Sequence, residues 1–226
     1  MKNILLFFVL LFTVSGYAQT ENYTPPDYDL IEKNSTDKNS ELNFELLFER
    51  YKNADSTMTI EDKRHLYYGY SFSHNYSPYG SGSTEVRQKL NKILQKQEAD
   101  KEDLKKIIEY TDELLSDFPF SIKLKDIRIY CFRELGMIEE ARKENFQTNA
   151  IIDAMLSTGN GVEKETSIYV INVTNEYELI SIFGFSFGGE QSLIEGRYDY
   201  LAIEENPYEI EGLYFDVSRS LNALKF

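Results

Sequence analysis

The chain of 226 residues holds one cysteine, Cys131, and two histidines, His65 and His74. A single cysteine excludes an intrachain disulfide framework, so core packing must hold the fold. It also excludes lipid attachment at a leader, which needs a cysteine at the cleavage site. Two histidines, with no His-Glu-x-x-His motif or cysteine cluster beside them, fall short of the three or four ligands of a protein metal centre. Basic residues are few: 24 Lys and Arg against 38 Asp and Glu, a formal net charge of −14. A field of that sign repels phosphate backbones and anionic lipid, which argues against nucleic acid and membrane surfaces as partners. The same acidity also keeps an exported protein soluble. Long apolar runs are lacking too. The run from Ile4 to Phe12 is well short of the roughly 20 residues that span a bilayer core.

That run has another reading. Lys2 precedes it, and Ser15-Gly16-Tyr17-Ala18 follows with small residues at a cleavage position. The pattern is that of a secretory signal peptide over residues 1–18, cut near Ala18. The expected product is soluble, periplasmic or secreted, and not inserted in a membrane after cleavage.

The rest of the chain reads as a polar N-terminal arm (19–40) and one α+β domain (41–226). The arm carries Pro25-Pro26 and a short helical piece around Asp27 to Glu32. Residues 41–158 are helical by pattern. Leu42, Phe44, Leu47, Phe48 and Tyr51 share one helical face. Thr59 stands three residues before Asp62 as an acidic capping box, opening a helix with Leu66, Tyr67 and Tyr70. A breaker from Ser77 to Ser83 precedes Val86, Leu90, Ile93 and Leu94 at helical spacing. Asp100 and Asp103 favour the start of the next helix, with Leu104, Ile107, Ile108, Leu114 and Leu115 as its stripe. Pro119 ends it, and helices from Phe120 to Leu135 and from Met137 toward Met155 flank Gly136. This pair resembles one tetratricopeptide-like helical hairpin, with no second copy at a 34-residue period. Residues 166–217 turn β-rich. Ser167 to Thr174, Ile180 to Phe187, Tyr198 to Ile203 and Gly212 to Val217 are the expected strands of a mostly antiparallel sheet. Glu176 to Leu179 reads as a turn or short helix.

Several residues invite a chemical reading. Gly184-Phe185-Ser186-Phe187-Gly188 matches the Gly-x-Ser-x-Gly nucleophile elbow, in which the base follows the serine and a helix follows the turn. Both histidines lie upstream of Ser186, and Glu190 to Arg197 is too broken for that helix. A strand with a glycine-permitted bend explains the same residues. Glu61 and His65 are four apart on one helical face, a usable ligand spacing without further ligands. Cys131 reads as a small buried residue. The densest feature is aromatic: His65 to Phe72 contains Tyr67, Tyr68 and Tyr70, continued by Tyr76 and Tyr79. One helix face cannot bury all these rings. They pack between helices and sheet, or they line a groove, where a tyrosine's apolar body and polar tip suit binding. These five tyrosines are the candidate ligand-binding residues; no catalytic residue, metal or cofactor is assigned.

Thr57-Met58-Thr59-Ile60-Glu61 with Arg64-His65-Leu66-Tyr67-Tyr68-Gly69-Tyr70 resembles a family of exported Bacteroidota proteins, domain of unknown function 4919. Val170-Ile171-Asn172-Val173, Glu176-Tyr177, Gly184-Phe185, Gln191-Ser192-Leu193-Ile194, Tyr198-Asp199-Tyr200-Leu201 and Glu211 to Val217 extend the likeness over nearly all the mature chain. The resemblance implies export and an α+β domain but no activity, so it transfers no functional residues. Two functions stand against each other. One is a non-catalytic domain that binds a protein, peptide or envelope component. The other is a secreted hydrolase using Ser186 or an acidic cleft.

Overall fold

The computed structural model describes residues 23–80 and 82–223. The leader and its cleavage site lie outside the described residues.

Helices come first, and most of their starts follow local chemistry. Helix α1 (Tyr28–Thr36) begins where the Asp27 side chain accepts from Leu30 N, and α2 (Phe44–Lys52) where Asn43 accepts from Glu45 N and Leu46 N. Helix α3 (Ile60–Gly69) opens on the expected box: Thr59 accepts from Asp62 N while Asp62 accepts from Thr59 N. Each box satisfies two otherwise orphaned N–H groups. Helices α4 (Thr84–Leu94) and α5 (Lys101–Asp117) follow, the latter with an Asp100–Asp103 box. Helices α6 (Ile122–Glu134) and α7 (Ile138–Leu156) pack against each other across the turn at Gly136.

The four-stranded sheet has β1 (Ile168–Tyr169), β2 (Phe187–Ile194), β3 (Tyr198–Ile203) and β4 (Gly212–Asp216) in the order β1-β4-β3-β2. Strand β1 runs parallel to β4, and the other pairs are antiparallel. Helix α8 (Thr174–Ile182) sits between β1 and β2 in the chain, and the short α9 (Ser218–Asn222) follows β4. This is an α+β fold, as the order of the patterns implies.

Three differences from the sequence reading concern β1, α8 and β2. The strand expected over Ser167 to Thr174 is only Ile168–Tyr169, because the chain turns after Val170 and α8 begins at Thr174. Residues Ile180 to Phe187 are not a strand: α8 runs through Ile182, and Gly184 at φ +80° turns the chain out of it. Positions 175 and 179, and 176 and 180, are buried pairs one helical turn apart, with Glu178 buried beside them. Two of them are Asn175 and Glu176, so polar residues hold core positions and hide the period. Strand β2 lacks a strand signature for the opposite reason. Gly188 to Leu193 are exposed on both faces, so no alternation marks it.

The larger core joins Leu47, Leu66, Phe120, Ile151, Met155, Leu179, Leu201 and Phe215 from both halves of the chain. A second core lies among α4, α5 and α6, built on Val86, Leu90, Leu104, Ile107, Leu114 and Cys131.

Candidate functional site

The tyrosine block is mostly interior. Tyr67 and Tyr68 are fully buried and Tyr70 nearly so. Tyr67 donates to Asn175 Oδ1 at 2.8 Å and accepts from Ile171 N at 3.2 Å. Tyr68 donates to the Tyr169 carbonyl at 3.1 Å, and Tyr70 to that of Asp117 at 3.0 Å. A buried tyrosine needs such a partner for its hydroxyl, and each of these has one far along the chain. The rings pack edge-on, Tyr67 against Tyr68 at 5.0 Å between centroids and Tyr70 against Phe120 at 5.3 Å. These three are therefore core residues rather than a ligand surface. Tyr76 is half-buried and donates to the Ile171 carbonyl at 2.6 Å; burial pushes its hydroxyl up to about 12. Of the five, Tyr79 alone is exposed.

Ser186 is exposed and leads into β2, and its carbonyl accepts from Glu204 N at 2.9 Å. A helix precedes it and a strand follows, the reverse of a nucleophile elbow. The buried His65 ring is occupied by Asn34 at 3.1 Å on Nε2 and by the Glu61 carbonyl at 3.1 Å on Nδ1. His74 lies exposed in the loop after α3. Among the described residues, no three His, Cys, Asp or Glu side chains cluster as metal ligands. Cys131 is buried in the second core, and burial raises its thiol.

A carboxyl pair that the sequence reading left unnamed lies between α8 and the sheet. Glu176 is fully buried, and no neighbouring donor reaches either carboxyl oxygen. Burial first, then the Asp199 carboxylate facing it, raises Glu176 to about 9. Two carboxyl groups can share a hydrogen bond only if one keeps its proton. Glu176, the deeper of the two, keeps it; Asp199 is 8% exposed. Asp199 accepts from Gln191 Nε2 at 2.8 Å, and Gln191 Oε1 accepts from Tyr177 at 2.7 Å. Burial raises Asp199 as well, opposed by its hydrogen bonds from Gln191 and Glu176. Two carboxyl groups pushed apart by their surroundings are the split that acid–base catalysis uses. Here the proton holder is sealed from solvent, so the arrangement ties α8 to β2 and β3 instead of facing a substrate.

A cleft of about 1020 Å³ lies elsewhere among the described residues. One wall is Leu30 and Ile31 of α1 with Ile60, Glu61 and Arg64 of α3. The other is Phe183 and Phe185 after α8, with Tyr208, Ile210 and Leu213. The N-terminal arm closes one side. Arg64 clamps it by donating to the Pro25 carbonyl at 3.1 Å and to Ser157 Oγ at 2.6 Å, and Thr24 N donates to the Ser157 carbonyl at 3.1 Å. Asn206 builds the loop that presents Tyr208: its Oδ1 accepts from Tyr208 N at 3.1 Å, and its Nδ2 donates to the Ile210 carbonyl at 2.7 Å. Such side-chain-to-backbone bonds rigidify a turn. Tyr208 is 73% exposed and meets Phe185 edge-on. None of the five candidate tyrosines lines this cleft, nor does Ser186.

A family model described as Domain of unknown function (DUF4919) matches residues 29–225. The chain belongs to that family. No curated protein and no solved structure matches it. The matched span of this DUF4919 chain takes in α1 through α9, and hence both walls of the cleft and the carboxyl pair. Chemically the cleft offers an apolar lining with neutral polar groups at Ser157 and Asn160. Its charged groups are already engaged: Arg64 as above, Glu61 with His65 at 3.0 Å, and Asp27 with Leu30 N at 3.0 Å.

The sequence held a faint signal for this site. Leu30, Ile60 and Tyr208 sit outside every helical stripe or strand alternation, and single unpatterned apolar residues do not announce a shared surface. Among the described residues no helix is long and apolar enough to cross a membrane.

Proposed function

We propose that this chain is an exported, non-catalytic binding domain of the bacterial envelope, and that its cleft takes an apolar peptide segment of a partner protein. The leader pattern supports export, and the resemblance to a Bacteroidota family supports the setting. The observation that carries the binding role is the cleft itself. Leu30, Ile60, Val162 and Tyr208 are all more than 40% exposed around a single concavity. A large apolar concavity with a few convergent polar groups is the usual form of a binding site, and clustered exposed apolar side chains mark interaction surfaces. The Asn160 amide among the lining residues suits a peptide backbone, which needs hydrogen-bond partners; an acyl chain would need none.

The test uses the full mature chain, an array of apolar peptides and the dye ANS. Ile60→Asp and Tyr208→Ser should each weaken peptide and dye binding at least about five-fold, since each removes or charges a large apolar contact. Melting temperatures should stay within about 3 °C, because both side chains are exposed. Binding unchanged by both substitutions would place the site elsewhere.

A further inference from the structure

The sheet has a second face that the cleft does not use. Along β3, Asp199, Leu201 and Ile203 point into the core, while Tyr198, Tyr200 and Ala202 point outward and stay half-exposed. Register places Tyr200 between Ser192 of β2 and Tyr214 of β4. The Tyr200 and Tyr214 rings stand 4.8 Å apart between centroids. A glycine makes this platform lie flat. A Cβ on Gly212 would stand 2.4 Å from Tyr200 Cζ and 2.5 Å from its hydroxyl, so the ring rests across β4 where only glycine leaves room. Strand β2 at the sheet edge continues the open surface, since Gly188 to Leu193 are all exposed.

Charge decides what fits there. Glu211 stands just before β4 and Glu190 on β2, both exposed; burial first, then Tyr214 and these two carboxylates, raises the Tyr200 hydroxyl. The neighbouring cations are committed elsewhere: Lys164 pairs with Glu195 at 2.7 Å, and Arg197 pairs with Asp216 at 2.5 Å. The chain already shows the preferred contact one residue pair away, where the Arg197 guanidinium sits 5.1 Å over the Tyr198 ring. Ring faces attract cations, more so where carboxylates stand beside them. The whole chain, at −14, favours approach of a positively charged partner.

We infer that the outer face around Tyr200, Tyr214, Glu190 and Glu211 docks lysine or arginine side chains of a basic segment on a partner protein. Nucleic acid bases would also stack on tyrosine, but their phosphates would meet the two carboxylates. This surface lies on different residues from the cleft, so it stands or falls separately.

The experiment measures fluorescence anisotropy of labelled pentalysine on the full mature chain at 0.15 M salt, where separated surface charges are screened within about 8 Å. Tyr200→Leu and Tyr214→Leu leave charge unchanged and should each weaken binding about three-fold. Glu190→Gln with Glu211→Gln should weaken it about ten-fold. Glu109→Gln with Glu113→Gln, which remove the same charge from exposed positions on α5, should cost less than about two-fold. Thermal melts of every variant check the fold, and the glutamate pair still reads the site if a tyrosine variant is unstable. Equal losses from the two glutamate pairs, or tyrosine variants that bind like the parent, would overturn the proposal by showing diffuse attraction only. Sedimentation showing a second copy of the chain seated on this face would overturn it as well.

Discussion

Helix α8 carries two buried glutamates two residues apart, and their surroundings differ in every respect that matters. Glu178 faces the start of α6. Its carboxylate accepts from Ser121 Oγ at 2.8 Å, Ile122 N at 3.1 Å, Lys123 N at 2.9 Å and Asn175 Nδ2 at 2.7 Å. It serves as a helix cap supplied from another element, with its charge at the positive end of the α6 dipole. Burial raises its pKa, and these four donors oppose the rise. Glu176 faces the sheet, receives no donor and meets a second carboxyl group. The same side chain, buried on both faces, is thus held by four donors on one and meets only a second carboxyl group on the other. Burial raises both, and the donors around Glu178 are what oppose that rise.

The sharpest way to break this contrast is to remove the satisfied partner. Glu178→Ala leaves a hydroxyl and two N–H groups of α6 without an acceptor in a dry site. Urea denaturation should show a loss of about 3 kcal/mol, because an orphaned buried donor costs more than its bond contributed. A loss under about 1 kcal/mol would mean that water reaches this end of α6.

The pH response comes next in size. Glu176 in the folded chain titrates at about 9, above its ordinary 4.5. Between those values the unfolded chain has released the proton and the folded chain still holds it. This residue's contribution is therefore fully present below about pH 4.5 and is lost as pH rises toward 9. The slope is at most about 1.4 kcal/mol per pH unit. Glu176→Gln, a neutral copy, should flatten that slope and stabilise the chain at pH 8 by about 1–2 kcal/mol. Stability curves at pH 5 and pH 8 that run parallel for the two proteins would count against a neutral Glu176.

A smaller effect bears on the tyrosines. Tyr67→Phe keeps the ring but leaves Asn175 Oδ1 and Ile171 N unpaired, for an expected loss of about 1.5 kcal/mol by the same denaturation assay. Tyr79→Ala, at an exposed ring, should change stability by less than about 0.5 kcal/mol. Equal effects at the two positions would contradict the division of the block into core and surface.

That division shows where reading the sequence stops. Thr59 with Asp62 and Asp100 with Asp103 announced helix starts that the structure keeps, because a cap and its N–H partner lie three residues apart. Pro119 and Gly136 likewise punctuated the chain where α5 and α6 end. The tyrosine block was legible as a cluster, but its fate was not. Tyr67 is buried because Asn175 and Ile171, more than a hundred residues away, accept and donate to its hydroxyl. The pattern of Ile180 to Ile182 suits a strand although they lie in α8, because Asn175 and Glu176 occupy core positions that a hydrophobic pattern reserves for apolar residues. The cleft was invisible because its walls come from α1, α3 and the segments after α8 and β3, each contributing one or two apolar side chains.

By itself the sequence determined the order of helices then strands and most helix starts, since these rest on contacts within one or two turns of chain. Only the tertiary structure decided which carboxyl keeps its proton, which tyrosines lie in the core and which lie flat over Gly212. Those outcomes depend on donors, charges and empty space supplied by residues distant along the chain, and no local pattern encodes them.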